Sequence, residues 1–136
     1  FDGKVYAIDI SQVMLKSLKK RLGEIRLGNV ETVFSKTNNK IPIKKDILDG
    51  ILIAFSLGKA GDQGEFLKDL LGHLRVGGWA AVIDWHKKKM DIGPSLKQRF
   101  DISEVQSLAE KAGYAFVKSH NLDEHHYLVL LRKTGT

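Results

Sequence analysis

Asp9 is the residue whose type and position point most directly to chemistry. It follows the short apolar run Lys4 to Ile8 and precedes Ser11, which can cap a helix. Such a run indicates a buried strand of a parallel sheet, which places Asp9 at the carboxyl end of that strand. Open α/β sheets bind ligands there, and a carboxylate can accept hydrogen bonds from ribose hydroxyls. An Asp that simply precedes a capped helix is the alternative.

His86 is the candidate general base. It follows a strand ending near Asp84, and an imidazole exchanges protons near neutral pH. The alternative is an exposed loop histidine beside the lysines at 87–89. His125 and His126 are adjacent and would point to opposite faces of a strand, which argues against both binding one metal ion. No set of His, Asp or Glu has convincing ligand spacing, and we expect no metal site.

The elements that position these residues alternate between strand and helix. Helical periodicity follows Ser11 as far as Gly28, and a helix is also predicted over Glu65–Leu74. Strands are predicted over Val30–Phe34, Gly50–Phe55 and Trp79–Ile83, the last entered through a turn at Gly77-Gly78.

The C-terminal third predicts one helix and a hairpin. Asp101 or Ser103 can cap a helix that runs to about Lys111 and ends at Gly113. The strands Ala115–Ser119 and Tyr127–Leu131 are separated by a spacing that suits an antiparallel pair. The sequence therefore predicts an α/β fold whose sheet is parallel apart from its last strand.

Three segments carry a resemblance to a known family: V-Y-A-I-D-I-S-x-x-M-L, L-L-G-H-L-R-V-G-G-W-A-A-V-I-D and A-G-Y-A-F-V-K-S-H-N-L-x-x-H-H-Y-L-V-L-L-R-K. In this order they resemble class I, Rossmann-like, S-adenosylmethionine-dependent methyltransferases, and among them the small-molecule branch of ubiquinone and menaquinone biosynthesis. The resemblance implies a three-layer fold with an antiparallel C-terminal hairpin, S-adenosylmethionine as cofactor, and methyl transfer to a small-molecule acceptor.

The resemblance also assigns cofactor-binding residues. It makes Asp9 the ligand of the ribose hydroxyls and Ile10 an apolar contact of the adenine. Phe55 and Ser56 would lie at the methionine end of the cofactor, where the family uses this stretch largely through backbone groups.

The adenine amino group is a point of departure from the family. Lys36 stands where the family often has an acidic residue, and an ammonium group has no acceptor lone pair. The adenine would then be bound by Ser35, Thr37 or backbone groups.

Composition bounds the function without selecting it. Apolar residues make up 43% and charged residues 28%, as in ordinary globular proteins, and there are no cysteines. We expect a cytoplasmic protein without membrane insertion, and its oligomeric state stays open. The net charge of +6 raises nucleic acid, RNA in particular, as an alternative acceptor, although the basic residues are scattered.

A length of 136 residues suits a single domain. In the family, a first strand with an E/D-x-G-x-G-x-G loop lies at the centre of the sheet, between the strands that end at Asp9 and Phe55. Neither is found in this sequence, so we expect an N-terminally incomplete domain whose 136 residues fold poorly alone or borrow a strand. A non-catalytic binding scaffold is therefore a further alternative.

Overall fold

The computed structural model describes residues 3–36 and 40–135, which form an α/β fold. The chain divides into two compact units, the first ending at Pro42 and the second beginning at Ile43. The first unit contains β1 (Val5–Asp9), α1 (Gln12–Glu24) and β2 (Val30–Phe34); the second contains β3 (Leu48–Ala54), α2 (Gln63–His73), β4 (Leu74–Trp85), α3 (Ile102–Ala112), β5 (Tyr114–Asn121) and β6 (His126–Lys133).

The first unit is a parallel strand pair joined by a helix. Strands β1 and β2 are in register from Val5 opposite Val30 to Asp9 opposite Phe34, so both end at the same edge. The Ser11 hydroxyl accepts from the backbone N–H of Met14 at 3.2 Å, as its capping role predicts.

The end of α1 differs from the prediction. The helix ends at Glu24, before Gly28, because Arg26 takes a left-handed conformation with a φ of 54° and its amide caps the carbonyl of Gly23.

The second unit is a four-stranded sheet in the order β3-β4-β6-β5. Strands β3 and β4 are parallel, whereas β6 runs antiparallel to both of its neighbours. The predicted sheet, parallel apart from its last strand, is confirmed. Strand β1 pairs with β2 within the first unit, and β3 pairs with β4 within the second.

The junction between α2 and β4 corrects the predicted turn at Gly77-Gly78. Strand β4 begins at Leu74, directly after the helix, and the glycines lie in an irregularity of its pairing with β3. Gly77 has a φ of 83°, and a Cβ at Gly78 would come within 2.8 Å of the carbonyl oxygen of Arg75. The glycines therefore form a bulge within the strand.

The core of the second unit lies between one face of its sheet and the two helices. Alternate residues of β6 are buried, namely Tyr127, Val129 and Leu131, and α3 packs against β5 and β6. The Tyr127 hydroxyl donates to the carbonyl of Phe100 at 2.6 Å, which fastens β6 to the segment that enters α3. Neighbouring residues of β6, beginning with His126, point to the other face.

Helix α3 has the most complete capping of the described helices. The Asp101 carboxylate accepts from the amide of Glu104 at 2.8 Å, and the Glu104 carboxylate accepts from the amide of Asp101 at 3.4 Å. Its predicted end at Gly113 is confirmed by a left-handed φ of 112°. None of the helices in the described ranges is long and apolar enough to cross a membrane.

Candidate functional site

Asp9 ends β1, as predicted, and its carboxylate has acceptor capacity to spare. One oxygen, Oδ1, accepts from the backbone amide of Ser11 at 3.0 Å, which orients the side chain at the start of α1. A carboxylate offers about four lone-pair positions, so further hydrogen bonds can be accepted. Ile10, the next residue, is 49% exposed. A carboxylate and an apolar contact thus lie side by side at the carboxyl edge of β1.

The residues that follow β2 extend the same edge. The amide of Ser35 donates to the carbonyl of Asp9 at 3.0 Å, but the Ser35 side chain is buried and its hydroxyl donates to the carbonyl of Lys40 at 3.3 Å. Its hydroxyl is therefore engaged within the loop, which favours a backbone role in adenine binding. Lys36 is exposed, and Thr37 lies outside the described residues.

Phe55 follows β3 and has a strained backbone. Its φ is 57°, a left-handed value that is rare for a bulky residue, and its amide donates to the carbonyl of Ile83 on β4 at 2.9 Å. The ring is 42% exposed. Ser56, also assigned to the cofactor, donates its hydroxyl to the carbonyl of Ala54 at 3.0 Å.

Three aromatic rings meet at the carboxyl ends of β3 and β4. Trp85 lies opposite His126 in the β4–β6 pair, and their ring centroids are 4.3 Å apart. The Phe55 ring contacts both, with centroids 5.5 Å from His126 and 6.1 Å from Trp85. We call Phe55, Trp85 and His126 the aromatic cluster.

Arg99 packs against the Trp85 ring and helps to fix its position. Its guanidinium carbon lies 5.5 Å from the Trp85 ring, and the side chain is 3% exposed. It donates to backbone carbonyls of the loop after β4, at Pro94, Lys88, Ile92 and His86. These charge-assisted hydrogen bonds hold the loop 86–98 against the aromatic cluster.

Asp84 is a buried carboxyl group that precedes Trp85 on β4 and lies opposite Tyr127. Its Oδ1 accepts from the amide of Trp85 at 2.8 Å. Burial raises the pKa of Asp84, an effect opposed by that hydrogen bond and by the positive charges of His126, Arg99 and Lys59. This buried carboxyl group therefore contributes to the electrostatics at the carboxyl end of β4.

His126 forms a hydrogen-bonded pair with Asp123 that the sequence analysis missed. Nδ1 of His126 lies 2.9 Å from Oδ2 of Asp123, while Oδ1 of Asp123 accepts from the amides of His125 and His126. These hydrogen bonds, the one from His126 first, lower the pKa of Asp123 to about 2. The available signal was the D-x-x-H spacing in the turn before β6.

His86 follows β4 as predicted, but it lies on the opposite face from the aromatic cluster. Its ring packs edge-on against Tyr127 with centroids 5.4 Å apart, and Tyr127 is on the face that carries α3. His86 also lines an open pocket of about 430 Å³ together with charged residues such as Asp101, Asp123 and Lys87. Its role as general base stays a prediction.

Metal-ligating side chains do not gather in the part of the chain that the structure describes. Groups of three or more His, Cys, Asp or Glu with suitable geometry are absent there. His125 pairs with Glu124 at 3.0 Å, separately from the pair formed by His126 and Asp123.

The family model of the ubiE/COQ5 methyltransferases matches residues 1–130. The chain belongs to the ubiE/COQ5 methyltransferase family. The relationship suggested by the three sequence segments is confirmed.

Curated relatives of the family agree with this membership. A demethylmenaquinone methyltransferase of Listeria welshimeri is 29% identical over 100 residues, which cover 74% of this chain and 41% of the relative. An Escherichia coli ubiquinone/menaquinone biosynthesis C-methyltransferase is 33% identical over 86 residues, covering 62% of this chain and 34% of the relative. The chain thus spans about two fifths or less of the length of these relatives.

The fold agrees with a solved methyltransferase structure. The crystal structure of a SAM-dependent methyltransferase from Aquifex aeolicus aligns with a TM-score of 0.88 and 29% identity, covering 95% of this chain and 68% of that one. The expected Rossmann-like methyltransferase fold class is confirmed.

Proposed function

We propose that the protein transfers a methyl group from S-adenosylmethionine to a ring carbon of an apolar aromatic acceptor of the demethylated-quinone class. The observation that carries the proposal is the position of Asp9 at the carboxyl edge of a parallel strand in a member of this family. The acceptor class is inferred from the names of the relatives, which are a demethylmenaquinone methyltransferase and a ubiquinone/menaquinone C-methyltransferase.

The residues that the family resemblance assigns to the cofactor keep those roles in this proposal. The Asp9 carboxylate would accept from the ribose hydroxyls, and the exposed Ile10 side chain would pack on the adenine. Phe55 and Ser56 would contact the methionine end, with the Ser56 hydroxyl already bonded to the backbone. When bound, the cofactor supplies a methyl group made electrophilic by a positively charged sulfur.

The second unit offers surroundings that suit a flat, apolar acceptor. The Phe55 ring is exposed, and Trp85 and His126 form a packed aromatic group beside it. Aromatic rings gain stabilisation from offset or edge contacts with another ring system. A small aromatic acceptor is therefore favoured over RNA, because the basic residues are scattered along the sequence.

The first test is the affinity for S-adenosylhomocysteine measured by calorimetry. Replacing Asp9 by Ala removes a charged acceptor, so we expect about 10- to 100-fold weaker binding, the equivalent of about 1.5–3 kcal/mol. Glu24→Gln is the matched control, because Glu24 is an exposed carboxylate at the end of α1 in the same unit. Equal affinities of the native and Asp9→Ala proteins, both with native circular dichroism, would contradict the assignment.

The second test separates the acceptor classes. Labelled methyl groups should pass to chemically reduced demethylmenaquinone and not to total cellular RNA. Transfer to RNA that falls steeply with salt would favour the nucleic-acid alternative. Calorimetry showing no binding of S-adenosylhomocysteine to the full-length protein would favour the scaffold alternative.

A further inference from the structure

We propose that His126, oriented by Asp123, accepts the proton of the methyl acceptor's aromatic hydroxyl group. The inference deepens the proposed function and rests on it. It assigns a base to the second unit that differs from the histidine expected from sequence.

The pair has the geometry of an oriented base. The pKa of Asp123 is about 2, so its carboxylate is anionic at neutral pH and Oδ2 can only accept a hydrogen bond. Nδ1 of His126, 2.9 Å from Oδ2, must therefore donate. In neutral His126 the other nitrogen, Nε2, then carries the lone pair. Among the described residues no hydrogen bond to Nε2 is formed, and the His126 side chain is 24% exposed.

The position of the imidazole is fixed by its neighbours. The ring centroids of Trp85 and His126 are 4.3 Å apart, and the guanidinium group of Arg99 packs against the Trp85 ring. The charged or titratable groups around His126 are Asp123 in the turn, His125 before β6, and Arg99 beyond Trp85. Asp84 lies opposite Tyr127 in the β4–β6 pair and interacts with His126 through its charge. A base held in this way needs little rearrangement before it receives a proton.

The choice between His126 and His86 depends on the two faces of the sheet. His126 contacts Phe55, the residue that follows β3 and is assigned to the methionine end of the cofactor. His86 contacts Tyr127, which points to the opposite, helix-covered face. A base must lie within hydrogen-bond reach of the acceptor, so His126 is on the appropriate face and His86 is not.

The reaction begins with the hydroxyl group of the acceptor. The hydroxyl proton of the acceptor passes to Nε2 of His126, and the electron pair left on the phenolate increases the electron density of the adjacent ring carbon. That carbon forms the bond to the methyl group as the carbon–sulfur bond breaks, and the pair of the broken bond stays on the sulfur. The ring carbon then loses its own hydrogen as a proton to solvent, and His126 returns its proton to the oxygen.

A binding experiment tests the contact without turnover. The probes are 1-naphthol and its O-methyl ether, titrated into protein saturated with S-adenosylhomocysteine at neutral pH. The native protein should prefer the naphthol roughly 3- to 10-fold, because only the naphthol can donate to Nε2. His126→Phe retains an aromatic ring beside Trp85 but has no lone pair, so it should bind both probes equally. His125→Phe is the matched control and should keep the preference.

Kinetics provide the second measurement, with reduced demethylmenaquinone as substrate. His126→Phe should lower kcat about 100- to 10,000-fold. Asp123→Asn keeps an acceptor for Nδ1 but removes the charge, so we expect about 10- to 100-fold slower transfer with the naphthol preference retained. This variant tests the pair even if His126→Phe does not fold.

Three outcomes would overturn the inference while leaving the proposed function standing. They are the absence of a naphthol preference in a native protein that binds S-adenosylhomocysteine, a preference that survives His126→Phe, or a preference lost on His86→Gln instead. Failure of the native protein to bind S-adenosylhomocysteine would reject the proposed function itself, and the inference with it.

Discussion

Phe55 combines an unfavourable backbone conformation with an exposed ring. A left-handed φ costs a non-glycine residue about 1–2 kcal/mol, so surrounding contacts must hold it. Here the holding contacts are the amide hydrogen bond to Ile83 and the packing against Trp85 and His126. Strained residues are common at ligand-binding sites, which agrees with a binding role for Phe55, although Arg26 takes a similar φ where it ends α1.

Lys36 permits a direct test of the adenine assignment. Because a lysine cannot accept from the adenine amino group, Lys36→Asp should strengthen S-adenosylhomocysteine binding roughly 3- to 10-fold. Lys40→Asp makes the same change of charge in the same unit, at an exposed residue whose backbone carbonyl bonds to Ser35. Calorimetry should show no comparable gain for this control. Weaker binding of Lys36→Asp would mean that the family alignment is wrong at this loop.

At the scale of elements, local signals predicted those parts of the fold that local interactions determine. The capping residues Ser11 and Asp101 and the terminating Gly113 hold the helix ends that their chemistry predicts. At Gly77-Gly78 the sequence predicted a turn, whereas the structure has a bulge. Two glycines favour both a turn and a bulge, and only the pairing of β4 with β3 distinguishes the two conformations.

Gly113 links helix termination to stability. Its φ of 112° is unfavourable for residues with a side chain, and a Cβ would lie 2.8 Å from a methyl group of Leu71. Gly113→Ala should therefore lower the free energy of unfolding by about 1–2 kcal/mol in urea denaturation. Gly61→Ala is the control, because a Cβ there meets nothing within 4 Å, and it should change stability by less than about 0.5 kcal/mol. Equal effects would show that the αL requirement is not what determines Gly113.

On the scale of the whole molecule, the sequence predicted the candidate site unevenly. The position of Asp9 at the end of β1 could be predicted because a strand end and a helix cap are both recognisable from local sequence patterns. His126 was missed because its partners become visible only through the β4–β6 register, which brings it opposite Trp85. His86, the base expected from sequence, packs against Tyr127, a contact that depends on which residues lie beneath α3, and its catalytic role stays a prediction.

The unpaired edges of β1 and β3 are where the predicted further central strand would pair. Each of these strands has one paired neighbour in the described ranges. The amides of Val5 in β1 and of Phe55 after β3 both donate to that neighbour, so every second amide along each strand points to the unpaired edge. Whether another strand occupies those edges stays a prediction, and amide hydrogen exchange can test it.

In dilute 136-residue protein, exchange should alternate along β3. The amides of Leu52 and Ala54 point to the unpaired edge and should exchange fast, whereas those of Ile51 and Ile53 point to β4 and should exchange slowly. Val82 is the internal control, because β4 is paired on both sides and its amide should be protected. Slow exchange at Leu52 and Ala54 that depends on protein concentration would mean that a second copy supplies the strand, since an unpaired edge is a template for intermolecular pairing. Slow exchange independent of concentration would contradict the open edge.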